Sequence, residues 1–114
     1  MFTDQALAYL ILLVAAVLEA GGDAFVRLGL HQDHVGARVG LFVAGAATLF
    51  AYGLVVNAPA WDFGKLLGVY VSLFFVVAQL VNFVVFSARP DGATLAGGAL
   101  IVVGGLVVAF VRIG

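Results

Sequence analysis

Glu19, Asp23 and Arg27 are three charges spaced four residues apart inside an otherwise apolar run. Residues four apart share one helical face, so with His31 they form a stripe running toward the C-terminal end of a first helix. Glu19 lies 12 residues after Leu7, which is ~18 Å along a helix rising 1.5 Å per residue. In a membrane-spanning helix that is close to the bilayer midplane, where a charged side chain costs about 2.5–3.5 kcal/mol. Two cheaper states are open to such a carboxylate: it takes a proton, or it faces a cavity and meets a cation. A group that exchanges one for the other is a coupling device, because proton and cation compete for it and a proton gradient then drives the cation the other way. The nearest basic residue on its face, Arg27, is two turns away, so Glu19 is the first candidate for a proton- and substrate-binding group. Asp23 is the second, with Arg27 as its charge partner. The alternative for these two is a local ion pair near the interface, with Arg27 snorkelling outward.

A third stretch carries Tyr70, Ser72, Phe75, Gln79 and Asn82. From Ser72 to Asn82 the spacing is i, i+3, i+7, i+10, which is one face. Polar groups on a membrane helix turn inward to find partners. Together with Tyr70 and Phe74 this face offers hydrogen bonds and aromatic rings to an organic cation; the plainer reading is that Gln79 and Asn82 join helices. Small residues recur at helical spacing at Gly36, Gly40 and Ala44 and at Ala47 and Ala51, giving the second helix a small-residue face. In the last helix Gly97 and Gly98 are repeated seven residues later as Gly104 and Gly105. Such faces let helices approach closely in lipid. The four glycines are therefore the candidate dimer interface, with packing inside one chain as the alternative. His31, Asp33 and His34 read as a solvated loop rather than a metal site. GGALIVVGG lies inside an apolar helix and lacks the Lys and Ser/Thr of a phosphate-binding loop. No nucleophile–base set, metal cage or cofactor motif is present, so an enzyme is not expected.

The elements that must position these residues follow from composition. The chain has 114 residues, 65% hydrophobic and only 10% charged, against about a quarter charged in a soluble domain. That leaves too little polar material to cover a water-facing surface. A net charge of −1 provides no basic footprint for nucleic acid, and without cysteine there is no disulfide or thiol chemistry. Four apolar stretches, at about 6–30, 39–56, 66–86 and 93–111, each approach the ~20 residues a helix needs to cross a ~30 Å hydrocarbon core. They are continuous rather than alternating, which excludes a β-barrel and leaves helices. The reading is an all-α membrane protein of four transmembrane helices in one domain, 1–114, with both termini on one side. Thr3 or Asp4 caps the first helix, which is too long and lacks the basic start of a cleaved signal. HQDHVGAR, NAPAWDFGK and SARPDG are the connections, with Trp61 and Phe63 at the interface. Basic residues divide nearly evenly, Lys65 and Arg112 on one side and Arg38 and Arg89 on the other, where Arg27 adds a third if it reaches the interface. Such balance gives little instruction for orientation and points to dual topology; the alternative is a weak bias settled by a partner protein.

AVLEAGGDAFVRLGL resembles the first helix of the small multidrug resistance family, exporters of bacterial inner membranes within the drug/metabolite transporter superfamily. In that family the essential glutamate is followed eight residues later by a basic residue, and Glu19 and Arg27 occupy those positions. NAPAWDFGKLLGVYVSLF is similar to the second-to-third helix passage, most closely in the YnfA-like branch. The resemblance covers nearly the whole chain, and its specific part is the Glu19 motif. It implies an antiparallel, dual-topology homodimer, or a heterodimer with a paralogue, that exchanges protons for small cationic substrates. Two glutamates would line one shared site and the fourth helices would hold the dimer. Two features depart from the family pattern. The third helix lacks the usual tryptophan, for which Tyr70 is the nearest aromatic substitute, and Asp23 is an extra acid. The competing readings are a lipid-linked sugar flippase subunit of the same superfamily and a non-transporting accessory protein of the membrane.

Overall fold

A computed structural model describes residues 4–110, so the expected Thr3 cap, the end of the last helix at Val111 and the Arg112 charge lie outside the described residues. Four helices follow in order: α1 (Asp4–Leu30), α2 (Val35–Val56), α3 (Phe63–Phe86) and α4 (Gly92–Phe110). All four are long and apolar enough to cross a membrane. The helices α2 and α3 begin about a turn before the start of their apolar runs, because polar caps rather than hydropathy set their ends. His34 Nδ1 accepts a hydrogen bond from the Ala37 amide at 3.2 Å, which draws Val35–Arg38 out of the expected loop. Asp62 Oδ2 accepts from the Lys65 amide at 3.0 Å and Asp91 Oδ1 from the Thr94 amide at 2.8 Å, each satisfying a donor the helix leaves unpaired. The α3 helix stops at Ser87, whose φ of 54° is left-handed and whose amide closes back on Asn82 and Phe83 carbonyls.

The backbones pack side by side in the pairs α1–α2, α1–α3 and α3–α4, so the helices stand in the spatial order α2, α1, α3, α4. The centre lies between α1 and α3. Leu12, Ala15, Ala16 and Ala20 of α1 are buried against Leu66, Val69, Tyr70 and Val77 of α3, with Val56 of α2 at the edge. Alanines on the α1 side allow the close approach on which packing in lipid depends. Between α1 and α2 the seam is made by glycines on both helices. A Cβ at Gly22 would come 2.8 Å from the Leu49 side chain, one at Gly29 2.7 Å from the Phe42 ring and one at Gly45 2.7 Å from Val26. The α2 helix therefore meets α1 through Phe42, Gly45 and Leu49, not through the row headed by Gly36 and Gly40. A Cβ at Gly40 would meet nothing, and one at Gly36 only the ring of His34. Large Phe42 and Leu49 side chains fill the α1 glycine notches, which buries more surface than two small faces would.

The glycines of α4 divide in the same manner. Gly98 and Gly105 are buried against α3, where a Cβ would overlap the Phe75 ring and the Ser72 side chain respectively, while Gly97 and Gly104 face open space. At the end shared by the α1 start, the α2–α3 loop and the α4 terminus, Trp61 packs edge-on to Tyr9 with ring centroids 5.4 Å apart, and Phe110 lies 6.1 Å from Tyr9. Each basic residue among those described lies over an aromatic ring: Arg27 on Phe86, Arg38 on Phe42, Lys65 on Trp61 and Arg89 on Phe83, at 5.5–5.8 Å. Cations held this way at helix ends keep their stems on apolar surface and their charge near the interface.

Candidate functional site

The middle of α1 presents Glu19 to α3, where its Oε1 accepts a hydrogen bond from the Tyr70 hydroxyl at 2.7 Å. The contact exists because Ala16 and Ala20, flanking Glu19 on the same side of α1, are small enough to bring α3 close. Tyr70 is buried, and its ring continues into an aromatic ladder. The Phe74 ring stacks on it at a centroid distance of 6.0 Å, and Tyr52 of α2 lies at 5.8 Å, tilted by 32°. The tyrosine fixes one carboxylate oxygen and leaves the second free for a proton or a cation.

Beside this pair, from Ala20 and Phe74 outward, a cleft of about 500 Å³ opens between α1 and α3. Its polar wall is formed by Asp23 and Arg27 of α1 and by Gln79 and Asn82 of α3, and Phe86 closes the far end. Glu19 is not part of this wall; its neighbour Ala20 is. Among the described residues no basic side chain comes within 4.0 Å of a carboxylate, so Asp23 and Arg27 share the cleft without the ion pair their spacing allows. Arg27 instead places its guanidinium 5.5 Å from the centre of the Phe86 ring.

The expected face of α3 is shared lengthwise between two neighbours. Ser72 donates to the Ile101 carbonyl of α4 at 2.8 Å and Phe75 fills the notch at Gly98, so both are taken up by α3–α4 packing. Gln79 and Asn82 border the cleft. Tyr70, Glu19, Asp23, Gln79 and Asn82 are thus brought into one region with Arg27 at its rim, and Ser72 and Phe75 are not. Tyr52 escaped sequence reasoning. The available signal was a lone phenol in the otherwise apolar second half of α2, where nothing in the spacing reveals that its ring reaches α3. Among the described residues no three His, Cys, Asp or Glu side chains are grouped to hold a metal.

Similar proteins match most of the chain's length. A UPF0060 membrane protein of Frankia casuarinae is 36% identical over 104 residues, covering 90% of this chain and 92% of that one. Its counterpart in Rhodococcus erythropolis is 34% identical over 104 residues, covering 90% and 94%, and one in Clostridium perfringens is 29% identical over 100 residues, covering 86% and 87%. No family model matches the chain, and no solved structure matches it. With better than one residue in three shared across nine-tenths of both chains, and four helices of membrane-crossing length, this chain belongs to the UPF0060 family and is a multi-pass membrane protein.

Proposed function

We propose that this protein is a proton-coupled exporter of small organic cations, in which Glu19 binds a proton on one side of the membrane and, on the other, releases it to water as the cation takes its place on the carboxylate. The observation that carries the reading is the Glu19–Tyr70 hydrogen bond, 2.7 Å long and at mid-helix, on a carboxylate with no cation paired to it among the described residues. A purely structural carboxylate at that depth would gain most from a basic partner. One left with a neutral hydroxyl donor keeps the capacity to exchange ligands. The aromatic ladder of Tyr52, Tyr70 and Phe74 supplies the faces an organic cation prefers. The resemblance of the Glu19–Arg27 stretch to the small multidrug resistance family supports the same chemistry, and with it an antiparallel dimer of two copies.

The test is a panel of organic cations applied to the purified protein reconstituted on a solid-supported membrane, with wild type beside Glu19→Gln. Cation-evoked, proton-dependent currents are expected in the wild type and none in the variant. Absence of current for every cation defeats the reading, and a Glu19→Gln current equal to wild type defeats the role of Glu19. Tags on either terminus that always report the same side of the membrane defeat dual topology.

A further inference from the structure

The cleft beside Glu19 contains charges of both signs that are not spent on each other. Asp23 and Arg27 are one turn apart, roughly 6 Å along the axis, and line the same cavity. An Asp–Arg pair at this spacing forms readily on a helix surface, yet the two do not form one here. The Arg27 guanidinium carbon lies 5.5 Å from the centre of the Phe86 ring, and its N–H donors meet no carboxylate among the described residues. Asp23 lies one turn deeper, between the guanidinium and Glu19. Across the gap, Gln79 and Asn82 each offer an amide donor and an acceptor. Arg27 in the wall repels a plain cation and Asp23 repels a plain anion, whereas a ligand carrying both charges gains from each. Asp23 is followed one turn on by Arg27, with hydrogen-bonding groups opposite that serve either sign.

We propose that this cleft binds a zwitterion, its ammonium directed to Asp23 and its carboxylate to the Arg27 guanidinium. About 500 Å³ is ample for a molecule of this kind, whose opposite charges stand only a few bonds apart. The inference names the substrate class of the exporter reading and rests on that reading for the transport step, but the binding step stands on the cleft alone. The cation term alone would not distinguish choline from glycine betaine, which share a trimethylammonium head. The carboxylate of betaine adds a charge-assisted, two-pronged hydrogen bond with Arg27, a contact that is among the stronger ones available.

The experiment compares glycine betaine with choline as ligands for the full-length protein in lipid nanodiscs, by titration calorimetry. The wild type is expected to bind betaine about tenfold more tightly than choline, the scale of one charge-assisted hydrogen bond. Arg27→Gln should reduce that preference to about twofold or less, and Arg27→Lys, which keeps the charge but not the fork, should leave an intermediate value. Size-exclusion profiles matching the wild type show that the variants remain folded, and Arg27→Lys carries the test if Arg27→Gln does not fold. Equal or tighter binding of choline overturns the proposal, as does a betaine preference that survives both substitutions or the failure of both ligands to bind. The transport assay separates the two readings. Betaine binding without a proton-dependent current leaves the zwitterion site standing and removes the exporter. A choline-evoked current with no betaine preference does the reverse.

Discussion

Neighbouring glycines in α4 should respond oppositely to the same methyl group. A Cβ at Gly105 would lie 2.5 Å from Ser72 Cβ and would overlap the Ser72 hydroxyl, whereas one at Gly104 meets nothing within 4 Å. Ordinary contact between such carbons is about 3.5–4.0 Å, so Gly105→Ala requires α3 and α4 to separate by on the order of 1 Å. The obstacle is a Cβ, fixed to the α3 backbone, and no rotamer change removes it. Overpacking of this kind costs typically 1–3 kcal/mol, and the Ser72–Ile101 hydrogen bond of 2.8 Å is lost with it, worth about 0.6 kcal/mol in a membrane helix pair. Gly105→Ala should therefore destabilise by about 2–3 kcal/mol. Gly98→Ala should cost less, because the atoms in its way are the far edge of the Phe75 ring, which can turn. Gly104→Ala has no clash to overcome and gains helix propensity of roughly 0.5–1 kcal/mol. Unfolding of the purified protein by sodium dodecyl sulfate, followed by circular dichroism in excess detergent micelles that isolate single chains, measures all three. The reciprocal swap Gly105→Ala with Ser72→Gly should recover most of the loss, a coupling of more than about 1 kcal/mol. Equal effects at positions 104 and 105, or no recovery in the swap, would refute the packing described.

Two further perturbations test the site and a helix end. Tyr70→Phe keeps the ring and its stacking but removes the donor to Glu19. Hydrogen bonds to charged groups are worth about 1.5–3 kcal/mol, so cation-evoked current should fall about tenfold or more while detergent unfolding changes little; an unchanged current would separate Tyr70 from the transport step. At the start of α4, hydrogen bonds from the Thr94 amide and then its hydroxyl hold the Asp91 carboxyl below the usual carboxylate range. A group that ionises more readily in the folded chain contributes stability above its unfolded value, about 3.9, and loses it as pH falls through the lower folded value. The stability difference between wild type and Asp91→Asn should thus be constant above about pH 5 and shrink below about pH 4, and a difference that grows toward low pH would reverse the sign argued here.

The helices were legible because a bilayer imposes a length on every apolar run, and their interiors follow hydropathy. Their starts were not, because hydropathy is silent about capping: His34 and Asp62 are polar, yet each adds a turn to the helix that follows by accepting one amide hydrogen. Glu19 stood out through its depth and its distance from any cation. The partner that holds it, Tyr70, was among the candidates, while Tyr52 was not, because its ring reaches Tyr70 from a helix whose backbone does not pack on α3. The row from Ser72 to Asn82 is a correct helical face, but a face has length as well as direction. Where α4 runs alongside, it is occupied by Ile101 and Gly98; further along, it borders the cleft. Periodicity gives the direction of a side chain, and only the arrangement of neighbours decides what it meets.

That arrangement bears on how the cleft is completed. The order α2, α1, α3, α4 places α4 on the far side of α3 from Glu19, and no α4 residue lines the cleft. The cleft therefore has walls from two helices only, and Asp23 and Arg27 are exposed in the single chain. Beside hydrocarbon, each exposed charge would cost about 2.5–3.5 kcal/mol near the bilayer centre, with less for Arg27 as it approaches the interface. Neither compensates the other, since the two are not paired. A stable membrane state must cover that side with something that carries polar groups of its own. A second copy meets the requirement, because it brings the same Gln79, Asn82 and Asp23 surface to the opening, and Gly97 and Gly104 leave α4 a small-residue face free to take part in holding two chains together. The dimer proposed above would supply that cover, which ties the proposed chemistry at Glu19 to the proposed assembly.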